Sequence, residues 1–426
     1  MKKQKKILFV LSGNLSTTPR AIKNIGLAKE KGYGIEVVKV NRASYWNRMD
    51  KVLADNLNIK TLSVSPGKAN RRLWLKTQVY FFLARIGSHL FKNSRSLLAF
   101  STQKTFIQIQ HLLKKLAENY DMIIGQGSGT IYPVFAYAKR KKIPYAIDVE
   151  DYYPGENNEP LLKNKTEQLL RIILPGAAYV SYGAPLIRRY SLDLFEEENG
   201  KESDLNEIGN DTVFFQGNPH IVLKNSFPSS EFPPPENPPS NSLKLIWFSQ
   251  NISYDRGLEQ IIQAAKNFNN KIELHLIGNL YPSFKKEWID PNRDFITLLP
   301  PMSQEELHKK LSNYDIGLAL EPGKDLNNNL ALSNKIYAYA QAGLYILATK
   351  TAGQEIFMLE NDWAGQLCNP TPEDMHMALM DTIRNRNKIR QGKKQRYQKA
   401  RSLAWENESK KLLKIWEESS KLEAGR

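Results

Sequence analysis

The chain has 426 residues, 41% of them hydrophobic, which is too long for one ordinary core and too apolar for a disordered segment. Its single cysteine, Cys368, excludes an internal disulfide and a thiolate metal cluster, and no run of about 18 apolar residues is present to span a bilayer. The net charge of +16 is uneven: residues 1–110 hold 21 Lys and Arg against only Glu30, Glu36, Asp50 and Asp55, whereas the remainder balances 39 basic with 40 acidic residues, so the first part suits an anionic partner.

The basic start Met1–Lys6 resembles a signal peptide, but the apolar run after it, Ile7–Leu11, is shorter than such a signal needs and reads as a first buried strand. A cytoplasmic protein is expected. Further short apolar runs follow at Ile35–Val40, Met122–Ile124, Tyr145–Ile147, Leu245–Phe248, Ile272–Ile277, Phe295–Leu299, Ile316–Leu320 and Tyr345–Ala348. Helical spacing lies between them, as in Leu258, Ile261, Ile262, Ala265 and Phe268, and this alternation predicts βαβ units with parallel sheets. The polar stretch 196–211 predicts a surface excursion, and six prolines within 227–242 predict a connection between domains. Between residues 70 and 95, Arg71, Arg72, Lys76, Arg85 and Lys92 interleave with Trp74, Phe81, Phe82 and Phe91. Such a helix can rest on an anionic membrane surface, although Leu75, Val79, Phe82, Ile86 and Leu90 equally form a stripe that could face a core.

Ligands in doubly wound domains bind at the C-terminal ends of strands, so four loops are candidates. The first, 12–20, offers Gly13 for close backbone approach, Asn14, the capping hydroxyls Ser16, Thr17 and Thr18, and Arg20 facing an anion; it is not a dinucleotide fingerprint. The second, 148–156, gathers the carboxylates Asp148, Glu150, Asp151 and Glu156 at a buried strand end, where they must be wet, paired or used. The third, 249–257, brings Arg256 to a helix start, and the fourth places Ser333 as N-cap before Asn334 and Lys335, with Gly343 closing that helix. Cations at helix N-termini oppose the dipole, so Arg256 and Lys335 together point to an anionic ligand, a diphosphate clamp.

With these motifs in place, the C-terminal half resembles the large retaining GT-B glycosyltransferase family. The matching stretches are Leu245–Gln250 with Arg256–Leu258, Leu274–Gly278, Tyr314–Leu318, and Ser333–Lys335 through Gly343 to Gln354 and Glu355. The resemblance covers roughly residues 243–370, while Asp148–Glu156, Tyr179–Pro185 and Leu223–Pro228 resemble the end of that family's first domain. It implies two Rossmann-like domains facing across a cleft: 1–226 on the acceptor side, 227–242 as linker, 243–400 on the donor side, and a helix over 401–426, with Trp405 and Trp416, packing back on the first. It also implies a nucleotide-sugar donor contacted by Gly13, Asn14, Asn251, Arg256, Gly278, Ser333, Asn334, Lys335, Gln354 and Glu355, and an acceptor side with Arg20, Asp151 and Glu156. Arg256 stands where the family has a Lys on the donor diphosphate, and Asn251 where it has an Arg. Two family glutamates fall on Leu330 and Ala338, and a His near the sugar on Glu150.

The activity expected is transfer of a sugar to a glycan or lipid-linked acceptor in cell-surface polysaccharide or glycolipid assembly, with retention, without cofactor or metal, and without nucleic acid as partner. Arg256 and Lys335 stabilise the leaving diphosphate, and Glu150 or Asp148 serves as base in an inverting variant. The alternatives are a nucleotide-sugar epimerase or hydrolase of the same fold, or a degenerate binding protein.

Overall fold

The computed structural model describes residues 4–424 apart from 43, 66, 68–69, 157–158, 197–209, 237–240 and 269. It divides into two compact units, Met1–Leu223 with Lys411–Arg426, and Lys224–Lys410.

The first unit is built on β1 (Lys6–Leu11), β2 (Gly34–Val40), β3 (Lys60–Val64), β4 (Met122–Gln126), β5 (Tyr145–Val149), β6 (Tyr179–Tyr182), β7 (Thr212–Phe215) and β8 (Asn218–Val222). They lie in the order β3-β2-β1-β4-β5-β6-β8-β7, and every pairing is parallel except that of β7 with β8. The second unit holds β9 (Leu243–Ile252), β10 (Ile272–Leu280), β11 (Ile296–Leu299), β12 (Ile316–Ala319), β13 (Tyr345–Thr349) and β14 (Gly365–Cys368), all parallel, in the order β11-β10-β9-β12-β13-β14. The central strands are near-continuous apolar runs because helices cover both faces; Leu8, Phe9, Val10 and Leu11 are fully buried, as are Leu245 and Ile246. In each unit the strand order reverses beside the first strand, at β1/β4 and at β9/β12. In open sheets of this kind, ligands bind outside the strand C-termini at such switch points.

The predicted apolar runs all become strands, and five more strands join them. β3 and β14 are edge strands whose polar, half-exposed sequences carry no apolar run, and β6 is only four residues long. β7 and β8 form a hairpin turned by Gln216 at φ 50° and Gly217 at φ 81°, a two-residue connection that requires left-handed backbone at both positions. The stretch 196–211 lies outside the described residues except at its ends. The change of unit falls at Leu223–Lys224, ahead of the prolines. Phe227 and Phe232 are buried against the His308 ring, and Gln341 bonds both the N–H and the carbonyl of Phe227, so this segment is anchored within the second unit. The last helix runs over Trp405–Ala424; Trp405 donates its N–H to Phe227 in the second unit, whereas Trp416 donates to Tyr179 Oη at 3.1 Å in the first. Gly343, at φ 75°, closes the helix Asn334–Gln341 as its position suggested.

One stripe turns out differently. The helix Arg71–Leu90 buries Leu73, Thr77 and Ala84, and leaves Leu75, Val79, Phe82, Ile86 and Leu90 exposed, so those five do not face a core.

Candidate functional site

In the first unit, the loop after β1 is organised by a residue from outside it. Asp50 accepts from the N–H groups of Leu15 and Ser16, from Ser16 Oγ at 2.6 Å, from Asn14 Nδ2 at 2.9 Å and from Lys39 Nζ at 2.6 Å. Burial would raise the Asp50 carboxyl, but Lys39 and these donors hold it below its ordinary value. Asn14 is fully buried, its Oδ1 taken by the Arg42 N–H at 2.8 Å, so it braces the loop rather than presenting itself to a ligand. Ser16, Thr17 and Thr18 do not cap the following helix: Ser16 bonds Asp50, and Thr17 and Thr18 donate to the Asn14 carbonyl. Gly13 is partly exposed, with room for a Cβ.

Arg20 does not face an external anion, because its anion is Asp148. Nε and Nη2 of Arg20 reach Asp148 Oδ2 and Oδ1 at 2.6 and 2.8 Å, and the guanidinium also donates to the carbonyls of Leu223 and Tyr182. Ser181 Oγ (2.6 Å) and Gln126 Nε2 (3.1 Å) complete four hydrogen bonds to the Asp148 carboxylate, and both charged side chains are almost wholly buried. The carboxylate oxygens are taken up inside the protein, so Asp148 is not open to an acceptor hydroxyl as the expected base would be. Glu150 differs. It is partly exposed, no hydrogen bond or ion pair reaches its carboxylate among the described residues, and its pKa is pushed up to about 8, first by burial and then by Asp148, against the pull of Arg20. It can therefore gain or lose a proton near neutrality. Asp151 is half-buried beside it and Glu156 is exposed on the same loop.

In the second unit, β9 extends four residues past its predicted end, so Asn251 lies in the strand, opposite Asn279. Gly278 sits where the β9–β10 register shifts, at φ 151°, and a Cβ there would come within 2.4 Å of the Ser249 carbonyl oxygen; it serves this close approach of backbones. Gly257, at φ 74°, is the N-cap of the helix Leu258–Ala265, and its Cα packs so near Leu320 that a Cβ would lie 2.9 Å from the Leu320 Cβ. The turn carrying Arg256 is thereby pressed against the end of β12, across the switch point. Arg256 is exposed, with no ion pair or hydrogen bond among the described residues. It precedes the N-cap, and Glu259 in the first turn already supplies an acid, accepting the Asp255 N–H at 2.9 Å; the expected clash with the dipole is thus offset within the protein.

Lys335 also finds its countercharge inside the protein. It lies in the first turn of the helix Asn334–Gln341, but Nζ meets Glu321 Oε1 at 3.0 Å, both side chains are 14% exposed, and Nζ lies 6.0 Å above the Trp247 ring. Its charge is not spare. Burial would raise the Glu321 carboxyl, but Lys335 first, and then Asn328 and Ser333, bring it below its usual value. Ser333 is the N-cap by backbone position, yet its hydroxyl makes no capping bond to the helix N–H groups. Asn334 is exposed at the same helix start. Gln354 is buried: its Nε2 donates to Thr349 O and Oγ1 at 2.9 and 3.1 Å, and Thr349 Oγ1 in turn joins the Glu321 backbone at 2.7 Å. Glu355 pairs with Lys350 at 3.4 Å on the surface. Buried polar atoms without a hydrogen-bond partner among the described residues include Trp247 Nε1, Ser333 Oγ and Gln354 Oε1 here, and Gln126 Oε1 beside Asp148 in the first unit. A buried polar atom left without a partner is costly, and water or a bound group can complete its bonding.

Sequence reasoning missed Glu321, Thr349, Trp247 and Asp50. Glu321 had a usable signal, an acid directly after a buried strand, where an unpaired carboxylate is costly. Asp50 had none, since the loop residues it organises, Asn14, Leu15 and Ser16, lie more than thirty residues away in sequence.

No protein-family model matches the chain, and no curated protein matches it in sequence. Solved structures similar to it include a glycosyltransferase from Rickettsia africae ESF-5, 13% identical with a TM-score of 0.65 over 98% of this chain and 99% of that one. Sucrose-phosphate synthase from Thermosynechococcus elongatus is 12% identical, with a TM-score of 0.63 over 99% and 100%. HepE from Anabaena, in complex with UDP-glucose, is 13% identical, with a TM-score of 0.59 over 98% and 99%. The fold of the chain is GT-B, with two Rossmann-like units.

Proposed function

We propose that this GT-B chain is a glycosyltransferase whose nucleotide-sugar donor lies at the strand ends of the second unit. One observation carries the reading: an exposed Arg256, with no ion pair or hydrogen bond among the described residues, beside a helix start at the switch point. The structural similarity to HepE, solved with UDP-glucose, supports a donor of that class. As the bond from the anomeric carbon to the diphosphate breaks, negative charge gathers on the diphosphate. Arg256 and the free N–H groups of the helices Leu258–Ala265 and Asn334–Gln341 stabilise it. Lys335, tied to Glu321, fixes the second of these helix starts and adds less charge than its sequence position suggested.

The transfer we favour is retaining and needs no protein nucleophile or metal, with an acceptor in cell-surface polysaccharide or glycolipid assembly. In an inverting variant Glu150 takes the acceptor proton. The test is turnover of UDP-, GDP-, ADP- and CMP-sugars, with and without chelator and acceptor, followed by the anomeric configuration of the product. A chelator-insensitive transfer supports the proposal; donor consumed equally without acceptor overturns transfer in favour of hydrolysis or epimerisation.

A further inference from the structure

The helix Arg71–Leu90 is packed inside out for a globular protein. Its inner face, against the helices Arg95–Phe100 and Lys104–Leu113, carries Leu73, Thr77 and Ala84, a narrow stripe of mostly small side chains. Its outer face carries Leu75, Val79, Phe82, Leu83, Ile86 and Leu90, spaced three, four and seven apart, with Phe82 63% and Leu90 72% exposed. Phe91 extends this face beyond the helix end. Single exposed apolar residues are ordinary, but a continuous row of them on a charged protein marks an interaction surface.

The charge around the row says what covers it. From Asn56 to Ala117 the sequence has no Asp or Glu in 62 residues and 11 Lys or Arg. At the helical period, Arg71 and Arg85 flank one side of the row and Arg72 and Lys76 the other, and all four are exposed. Aromatic rings lie under two of these cations, with Lys76 over Tyr80 at 5.5 Å and Arg85 over Phe81 at 6.0 Å. The imidazole of His111 nearby is held below its ordinary value by burial and then by Lys115, Lys76 and Lys114, a sign of the local positive potential. An apolar strip bordered by cations matches a bilayer interface, where acyl chains meet anionic headgroups. No helix among the described residues is long and apolar enough to cross a membrane, so the contact is with one leaflet.

We propose that the Leu75–Leu90 face of this helix docks on an anionic lipid surface, inserting Phe82, Ile86 and Leu90 while Arg71, Arg72, Lys76 and Arg85 meet the headgroups. This docking does not depend on the sugar-transfer reading.

The experiment is flotation of the full chain with vesicles of phosphatidylcholine alone, or with about a third phosphatidylglycerol. The expected result is recovery on the anionic vesicles only, weakening as salt rises. Phe82→Ser with Leu90→Ser should lower the partition coefficient at least about tenfold, and Arg71→Gln or Arg72→Gln about fivefold each. These side chains are exposed, so melting temperatures should stay at the wild-type value, and the salt series on unaltered protein provides a readout free of folding effects. Equal recovery on both vesicle types, or none on either, overturns the proposal. So does a dimer in sedimentation velocity that dissociates on Phe82→Ser, because a second copy would then be the occupant.

Discussion

At the strand ends of the first unit, the Asp148 carboxylate receives four hydrogen bonds and its countercharge, Arg20, is buried with it. At the corresponding place in the second unit, which shares the same order of its first six strands, Arg256 is exposed with no anion among the described residues. Identical topology therefore supports two different uses of polar residues. Where charges satisfy one another they fix strand ends, and leaving one alone would be costly. Where a cation stays exposed beside a helix start without a countercharge, it is free to meet an anion from outside. The contrast can be broken or sharpened by substitution on either side.

The largest effect belongs to the closed cluster. Arg20→Ala strands the Asp148 carboxylate in the interior and should cost about 3–5 kcal/mol of stability by urea denaturation. The donor affinity of the protein that remains folded should be unchanged. A wild-type denaturation midpoint would mean that this pair is no anchor. Lys335→Ala is next, because it leaves Glu321 partly buried and unpaired: we expect about 1–3 kcal/mol lost from stability together with weaker donor binding, measured by denaturation and calorimetry on one preparation. A loss of affinity at full stability would show that the pair with Glu321 contributes little to the fold. Gly278→Ala forces a Cβ against the Ser249 carbonyl at an unfavourable φ and should cost about 1–3 kcal/mol, read as a lowered melting temperature.

The effect of Glu150 depends on pH, and its sign follows from proton linkage. Below its ordinary value of 4.5 the carboxyl is protonated in both folded and unfolded chains. Between 4.5 and about 8 the unfolded chain releases a proton that the folded one keeps, so the contribution of Glu150 to stability falls as pH rises through that window. Glu150→Gln removes this dependence. Urea midpoints of variant and wild type at about pH 5 and about pH 9 should diverge in favour of the variant at the higher pH. A constant difference would place Glu150 with the ordinary carboxylates.

Much of the fold was legible because a parallel strand covered on both faces must be a continuous apolar run, as Ile7–Leu11 and Leu245–Phe248 are. Strands at the edge escape that rule: Lys60–Val64 needs to bury little more than Val64, so its sequence is unmarked. The site was legible as a set of loops but not as a set of roles. Arg20, Asp148, Arg256 and Lys335 were all read as open to ligand, yet three of them find countercharges inside the chain. Which partner a charge finds depends on pairs such as Arg20 with Asp148 or Asn14 with Asp50, joined only by the fold.

The central claim is that the open cluster of the second unit holds the donor diphosphate through Arg256. The most direct measurement is calorimetric titration of UDP and the nucleotide-sugar found to turn over into wild type, Arg256→Ala and Arg256→Lys. The account predicts that Arg256→Ala loses about 1.5–3 kcal/mol of binding, tenfold or more in Kd, while Arg256→Lys keeps part of it. The denaturation midpoint should stay at the wild-type value, because the Arg256 side chain is exposed and unpaired. Folded Arg256→Ala protein with an unchanged Kd and unchanged turnover would contradict the account and move the donor elsewhere.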